Sequence, residues 1–291
     1  LAALGTSLAF SFGSTVFTLA GRRLGSAVVN RARLIAALIF LSIAHWLIMG
    51  TFLPLNAAPE HWIWLSISGV IGLVVGDAFL FQAFVLVGPR LSMLMMSLAP
   101  VMASIQAWLF FDETLSIGQV FGISLTLAGI IWVVLEKGRN KEADRNYTRG
   151  ILYGLGGAFG QATGLILAKN GLGDNFSPIS ASLIRMLAAI VVLWGATFFQ
   201  RQIKSTFKTL INDRKGTGLA ILGAFSGPFI GVTFSMLSIQ HAEIGVASTL
   251  MALPPVILLP ISYFVFKERF GWGAVAGTLF AMAGVAFLFL V

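Results

Sequence analysis

The 291-residue sequence contains no cysteine at all. Disulfides, thiolate nucleophiles, iron–sulfur clusters and cysteine-ligated zinc are therefore excluded. Charge is also scarce, because only 10% of the residues are charged, 19 of them basic and 11 acidic. A soluble globule of 31.1 kDa needs far more polar surface than this composition can supply. The composition thus excludes a soluble protein.

Signatures of an intramembrane enzyme are missing as well. The chain has no HExxH zinc motif, and its three histidines, His45, His61 and His241, lie in different regions, so a metal cluster is not expected. Asp77 has no second intramembrane aspartate with which to form a catalytic dyad. No charge ring or carbonyl-filter sequence indicates a channel. An intramembrane enzyme and a channel-like pore stay as alternative functions, and no cofactor is predicted.

Hydrophobic residues make up 57% of the chain, and the mean hydropathy is +0.92. They form ten stretches, each close in length to the ~20 residues that a helix needs to cross a bilayer. The stretches are residues 1–20, 34–52, 62–87, 91–111, 114–135, 150–168, 179–199, 216–240, 244–266 and 270–291. They are apolar on all sides, which is typical of membrane helices rather than barrel strands. We therefore predict an all-α membrane protein with ten transmembrane helices.

The second half of the sequence repeats the first. A shift of 155 positions aligns a series of glycine, proline and glutamate residues, and a shift of 152 aligns Arg33 with Arg185. The aligned pairs at the longer shift include Gly72 with Gly227, Gly76 with Gly231, Pro100 with Pro255, Glu113 with Glu268 and Gly129 with Gly284. Such matches predict two five-helix repeats, residues 1–135 and 150–291, joined by a polar linker at 136–149.

Each repeat contains an odd number of predicted spans, so the second must enter the membrane inverted relative to the first. Inverted repeats can exchange conformations, and a site between them then opens to each side of the membrane in turn. The loops after spans 1, 3, 5, 7 and 9 hold 17 of the 19 basic residues. The positive-inside rule makes these loops cytoplasmic and places both termini outside. The net charge is +8, but the basic residues lie in loops beside membrane spans, so this charge does not predict nucleic-acid binding.

A pattern that occurs twice carries a family resemblance. It consists of Pro-Val, an apolar helix, a glutamate and a glycine-rich helix, at Pro100 to Gly129 and again at Pro255 to Gly284. Together with Arg33-Leu-Ile-Ala-Ala and Arg185-Met-Leu-Ala-Ala, it resembles the ten-helix, EamA-like branch of the drug/metabolite transporter superfamily. Members of this branch are commonly drawn with both termini inside, whereas the charge count here predicts the opposite.

The resemblance implies a secondary active transporter, usually an exporter of amino acids or related metabolites, with a central cavity between the repeats. The expected partners are a small-molecule substrate and the lipid bilayer, with protons as a hypothetical coupling ion and no nucleic acid. The protein is expected in the cytoplasmic (inner) membrane as a multi-pass protein, either as a monomer or as a homodimer. Nothing in these residues identifies the substrate.

Asp77 is the clearest candidate for a functional residue. It lies near the middle of the third stretch, where an ionised carboxylate costs ~2.5–3.5 kcal/mol or more unless it is paired or hydrated. It is predicted to bind a proton, a cation or a substrate amine; the alternative is a helix–helix hydrogen bond or an ion pair with Arg185. Arg185 is either an interfacial anchor or the partner of Asp77 or of a substrate carboxylate, whereas Arg33 is predicted to be an interfacial anchor.

Polar side chains also mark the first helix of each repeat. Ser11, Ser14 and Thr15 lie along one stripe of the first span, and Gln161 and Thr163 lie in the sixth. We predict that they contribute to the substrate or coupling site; the alternative is that they hold membrane helices together.

Two pairs of repeated residues are predicted to act in gating or in structure. Pro100 and Pro255 each remove a helix hydrogen bond and permit a bend, which makes them candidate flexible points. Glu113 and Glu268 precede a helix start, where a carboxylate can bind unpaired N–H groups and favour the helix dipole. Gating is the alternative role of these two glutamates.

Overall fold

The computed structural model describes residues 1–110, 114–139, 145–172, 176–241 and 250–290. Every regular element among them is helical. In chain order the helices are α1 (Ala2–Leu24), α2 (Ser26–Met49), α3 (Pro59–Met96), α4 (Leu98–Phe110), α5 (Ile117–Arg139), α6 (Arg145–Leu172), α7 (Pro178–Phe199), α8 (Ile203–Asn212), α9 (214–241), α10 (Pro254–Val265) and α11 (Trp272–Leu290).

Within these residues, eight helices are long and apolar enough to cross a membrane, and α4 and α10 are shorter apolar helices. An all-helical membrane protein is thus confirmed, while the count of ten spans stays a prediction. The third and fourth predicted stretches join in α3, which runs on to Met96. The helix is not continuous, because Gly88 has φ 82° and ψ 171° and precedes Pro89. Glycine tolerates this left-handed φ and proline lacks the N–H of the next turn, so the chain bends there.

The distribution of side chains differs from that in a soluble globule in its apolar exterior and its buried hydroxyl groups. Large apolar side chains such as Leu8, Val191 and Phe280 are exposed on the outer surface. Hydroxyl side chains such as Ser7 and Thr18 are completely buried. Since lipid tails solvate the apolar exterior while polar groups bond to each other inside, this arrangement fits a bilayer.

Two helices contain a π-helical segment at equivalent positions of the predicted repeats. One is Val70–Gly76 in α3 and the other is Phe225–Gly231 in α9, and both are seven residues long. Each follows an α-helical segment of eleven residues, Pro59–Gly69 and Arg214–Ala224. The spacing of 155 between the two segments equals the shift that aligns the sequence with itself. The internal similarity therefore extends from the sequence to an uncommon local backbone geometry.

Glycines bring helices of the two halves into backbone contact. In α5 and α11, a Cβ added at Gly122 would lie 2.8 Å from the carbonyl oxygen of Gly284, and one at Gly129 would lie 2.6 Å from that of Gly277. Gly277 and Gly284 are the repeat partners of Gly122 and Gly129. Helices α5 and α11 are therefore antiparallel. Gly122 faces Gly284, the repeat partner of Gly129, and Gly129 faces Gly277, the repeat partner of Gly122. Small residues permit this close approach, as is usual between membrane helices.

Candidate functional site

A cavity of about 390 Å³ lies among helices of both halves. Its size is in the range of ~300–1,000 Å³ that is usual for small-molecule sites. Three charged side chains line it, Arg33, Asp77 and Arg185, together with Gln161 and Ser14. The structure thus brings Asp77, Arg185, Gln161 and Ser14, four of the residues that sequence reasoning selected, to one cavity.

Asp77 is paired within the protein. The guanidinium of Arg33 donates through Nη2 to Oδ2 of Asp77, and both side chains are buried. The Nε2 atom of Gln161 donates to Oδ1 of Asp77 over 2.6 Å. Each carboxylate oxygen therefore has a donor, which offsets the desolvation of the charge.

The π-helical segment of α3 and the glycines beside it position this cluster. Cβ atoms at Gly160 and Gly164 would lie 2.6 and 3.0 Å from the Cα atoms of Gly76 and Gly72. This contact places Gln161 beside Asp77, which directly follows the π-helix. The wider helical turn also presents two carbonyl oxygens to side chains: Gln161 Nε2 lies 3.3 Å from the Gly72 oxygen, and Arg33 Nη2 lies 3.4 Å from the oxygen of Leu73.

The prediction that Arg33 anchors a helix end at the interface is wrong. Helix α2 begins at Ser26 rather than at residue 34, so Arg33 lies two turns inside it. Its side chain is buried, its Nε donates to Asn30 Oδ1 over 3.0 Å, and its Cζ lies 4.9 Å from the ring centroid of Phe81. A guanidinium with a counter-charge, an amide acceptor and an aromatic face is stable at such a position.

Arg185 lies at the corresponding position of α7. Each arginine is the eighth residue of its helix, since α7 begins at Pro178. Arg185 lines the cavity, but its Nε is buried without a hydrogen-bond partner among the described residues. It interacts with Asp77 only through the longer-range attraction of opposite charges, because the ion pair of Asp77 is with Arg33.

The remaining wall of the cavity is mostly apolar. Its large members are Phe10, Phe17, Phe81, Phe84, Met93, Met96 and Met186. Phe17 and Phe81 pack edge to face with ring centroids 4.9 Å apart, which fixes their orientation. Methionine side chains are flexible and polarisable, so this wall can adapt to ligands of different shape.

The other polar residues predicted for the site lie elsewhere. The hydroxyl of Ser11 donates to the Ser7 carbonyl over 2.7 Å, and that of Thr15 donates to the Ser11 carbonyl over 2.8 Å. Both bonds lie within α1, and neither residue lines the cavity. The Thr163 hydroxyl lies 3.2 Å from Gln106 Oε1, also outside the cavity. Of these three contacts, that of Thr163 joins two helices, as the helix-association alternative predicts, whereas the bonds of Ser11 and Thr15 satisfy their hydroxyls within one helix.

The repeated prolines lie in the first turns of helices. Pro100 is the third residue of α4, which follows a break at Ser97, and Pro255 is the second residue of α10. At a helix start the missing N–H has no intrahelical acceptor to lose, so proline is well tolerated. Whether the chain bends there during function stays a prediction.

Glu268 connects the loop before α11 to α3. Its Oε2 lies 3.4 Å from Nε of Arg90, which is 1% exposed, and the Arg90 Cζ lies 4.8 Å from the ring centroid of Phe270. A Cβ at Gly88 would lie 2.8 Å from Glu268 Oε1, so the bend of α3 makes room for this carboxylate. Glu113, its predicted counterpart, lies outside the described residues.

Metal binding finds no support in the described part of the chain. No group of three or more histidine, aspartate, glutamate or cysteine side chains there could hold a metal ion. His45 instead contacts the Thr51 carbonyl, and its Nε2 lies 3.0 Å from Ser180 Oγ.

Sequence reasoning missed Arg33, Asn30 and the aromatic wall as parts of the site. The repeat itself carried a signal for Arg33, because it aligns with Arg185 and must lie equally deep in an equivalent helix. No comparable signal marked Phe10 or Phe17, since phenylalanine is common on every face of these helices.

Membrane-length helices that surround a cavity with a buried ion pair and a further arginine define a polytopic membrane protein with an internal cavity. The model of the EamA-like transporter family matches residues 1–135 and 148–290, and the chain belongs to this family. The resemblance found in the sequence is thereby confirmed. The protein is a membrane transporter of the drug/metabolite transporter type.

Comparison with solved structures supports the fold. One crystal structure of a protein matches with a TM-score of 0.62 and 15% sequence identity, over 98% of this chain and 96% of that chain. At this identity the likeness concerns the fold alone. The search of curated proteins finds no match.

Proposed function

We propose that the protein is a secondary active transporter of small metabolites such as amino acids and that the cavity between its halves is the substrate site. The observation that carries this proposal is the cavity, which is lined by a paired carboxylate, by an arginine whose Nε has no acceptor among the described residues, and by flexible apolar side chains. Outward transport across the cytoplasmic membrane is part of the proposal and rests on the family resemblance.

Two inverted five-helix repeats, residues 1–135 and 150–291 with a linker at 136–149, are the proposed machinery. Two observations support them: the antiparallel crossing of α5 and α11 through Gly122, Gly129 and their repeat partners, and the recurrence of the π-helix after 155 residues. A two-fold axis that relates antiparallel membrane helices lies in the plane of the membrane, which is the geometry of alternating access. By the positive-inside rule, the basic loops of these repeats are cytoplasmic and the termini lie outside.

Asp77 is the proposed site of proton coupling. It is buried in the cavity wall and holds Arg33 and Gln161 by its two oxygens. Adding a proton to the carboxylate would weaken its bond with Arg33 and change the charge that a substrate meets. A ligand and a proton that alter the same charge cluster are thermodynamically linked.

The test is uptake of a labelled amino-acid pool into proteoliposomes under an imposed pH gradient. Wild type is compared with Asp77→Asn and with Asp77→Asn combined with Arg33→Gln, in which Arg33 is not left without its counter-charge. Arg23→Gln serves as a surface control. We expect saturable uptake by the wild type and by the Arg23→Gln control. In both, the rate of uptake should depend on the pH gradient. The Asp77 variants should lose this dependence.

Two results would contradict the proposal in different ways. Uptake no greater than in empty liposomes would argue against a carrier for these metabolites. Equal rates with and without the gradient, in wild type and in the variants, would exclude proton coupling through Asp77 but leave the carrier in place.

A further inference from the structure

The two halves of the cavity wall differ at positions that the repeat makes equivalent. Asp77 in α3 aligns with Val232 in α9, and Asn30 in α2 aligns with Ser182 in α7. Val232 and Ser182 both line the cavity. Of these three aligned pairs, Arg33 and Arg185 alone are the same residue in both halves.

This difference leaves the two arginines in different states. Arg33 has a carboxylate on Nη2 and the Asn30 amide oxygen on Nε. Arg185 has neither partner, because the Val232 side chain has no polar atom and the Ser182 hydroxyl donates to the Pro178 carbonyl over 2.9 Å. Its Nε is therefore buried without an acceptor among the described residues.

The charges of the described cavity residues do not cancel. Arg33 and Asp77 neutralise each other, and Arg185 adds one positive charge that has no counter-charge within ion-pair distance. In the other half, the apolar side chain of Phe10 packs on Gly231, the repeat partner of the Gly76 beside which Gln161 lies. A guanidinium in such surroundings is satisfied by an anion that accepts its N–H groups, and a carboxylate matches its planar geometry.

We propose that Arg185 binds the carboxylate of the substrate and that the cavity makes no use of a substrate ammonium group. The preferred substrate is then a small organic anion with an apolar body. An ammonium group would meet Asp77, whose two oxygens already hold Arg33 and Gln161. The inference rests on the proposed role of this cavity as the substrate site.

Ligands that share one body but differ in charge provide the test. The probes are 3-phenylpropanoate, its neutral isostere 3-phenylpropanamide, phenylalanine and 2-phenylethylamine, and binding to the purified protein in detergent is measured by calorimetry. Hexanoate, hexanamide and hexylamine repeat the comparison with an aliphatic body. Since one charge-assisted hydrogen bond contributes ~1.5–3 kcal/mol, we expect each carboxylate to bind about 10- to 100-fold more tightly than its amide.

Three variants separate recognition from structure. Arg185→Gln should remove the preference for carboxylate over amide, and Arg185→Lys should keep part of it. Val232→Asp leaves Arg185 in place but supplies the acid that the other half has, so it should remove the preference as well. Arg23→Gln on the surface should not change it. A purely structural role of Arg185 would weaken all probes by the same factor and leave the ratios intact.

The outcomes decide between the two proposals. If an amine or an amide binds as tightly as the carboxylate, or if phenylalanine binds tenfold more tightly than 3-phenylpropanoate, carboxylate selection is refuted while the transporter stands. If none of the seven probes binds, carboxylate selection is also refuted. Transport of the amino-acid pool in proteoliposomes, measured separately, then tells whether the carrier proposal fails with it.

Discussion

The ion pair between Arg33 and Asp77 makes a prediction about stability. Both residues are 4% exposed, so removing one charge leaves the other in a medium that solvates it poorly. Breaking a buried pair in this way costs ~3–5 kcal/mol, whereas replacing both partners with apolar residues is often close to neutral. Because this pair borders a cavity, we take the lower limit of about 3 kcal/mol for Asp77→Val.

A double-mutant cycle measures the effect. Asp77→Val and Arg33→Met are made singly and together, and thermal unfolding in detergent is followed by tryptophan fluorescence. Valine fits the backbone of an equivalent position, since Val232 is the repeat partner of Asp77. At ~2–4 °C per kcal/mol for a chain of this size, the Asp77→Val midpoint should fall by roughly 6–12 °C. The double variant should recover most of this loss.

The coupling between the two residues is the quantity to examine. Contacting residues in one charge network typically couple by ~0.5–3 kcal/mol, whereas independent sites are additive. If the midpoint shift of the double variant equals the sum of the single shifts, Arg33 and Asp77 do not stabilise each other, and the charge assignment of the cavity is wrong.

Two further predictions concern packing and surface charge. Gly129→Leu should destabilise the protein by ~1–3 kcal/mol, because a Cβ there would lie 2.4 Å from a backbone nitrogen of α11. Gly195→Leu is the control, since a Cβ at Gly195 would meet nothing within 4 Å. Equal thermal midpoints of the two variants would contradict the glycine contact. Arg23 donates from Nε and Nη2 to Asp213 over 2.8 and 2.9 Å and lowers the pKa of the Asp213 carboxyl below its usual range. The ion pair therefore stabilises the protein at pH values above the usual carboxyl pKa of ~3.9, and this stabilisation is lost as the pH falls through the lower pKa of Asp213 in the folded protein. An NMR titration of Asp213 that is unchanged by Arg23→Gln would contradict this prediction.

Hydrophobic patterning predicted the helical membrane fold because lipid imposes one requirement on every span. Backbone groups must be bonded internally, so each long apolar stretch becomes a helix. The boundaries were less predictable. Helix α2 begins at Ser26, eight residues before the predicted stretch, because hydropathy counts Arg31 and Arg33 as costs. The structure offsets those costs with partners that are distant in sequence, such as Asp77 and Thr206.

The site was predictable where a single residue carried the signal. Asp77 was recognisable because a carboxylate at that depth needs a partner or a function. Its partner was not recognisable, since Arg33 and Arg185 have similar sequence contexts and the contact of Arg33 with Asp77 depends on how helices distant in sequence pack together. Apolar composition does not distinguish a π-helical segment from an α-helical one, so Val70–Gly76 could not be predicted from hydrophobicity.

The cavity combines a repeated framework with a wall that is not repeated. Glycine contacts and the π-helical segments recur in both halves, and they bring Arg33 and Arg185 to the same cavity from different halves. Had both halves kept an acid at the position of Asp77, each arginine would have a counter-charge and the cavity would be neutral. The presence of Val232 at that position removes one acid, and this leaves Arg185 available to a ligand. The proposed carboxylate site therefore depends on positions at which the two halves differ, such as Asp77 and Val232 or Asn30 and Ser182.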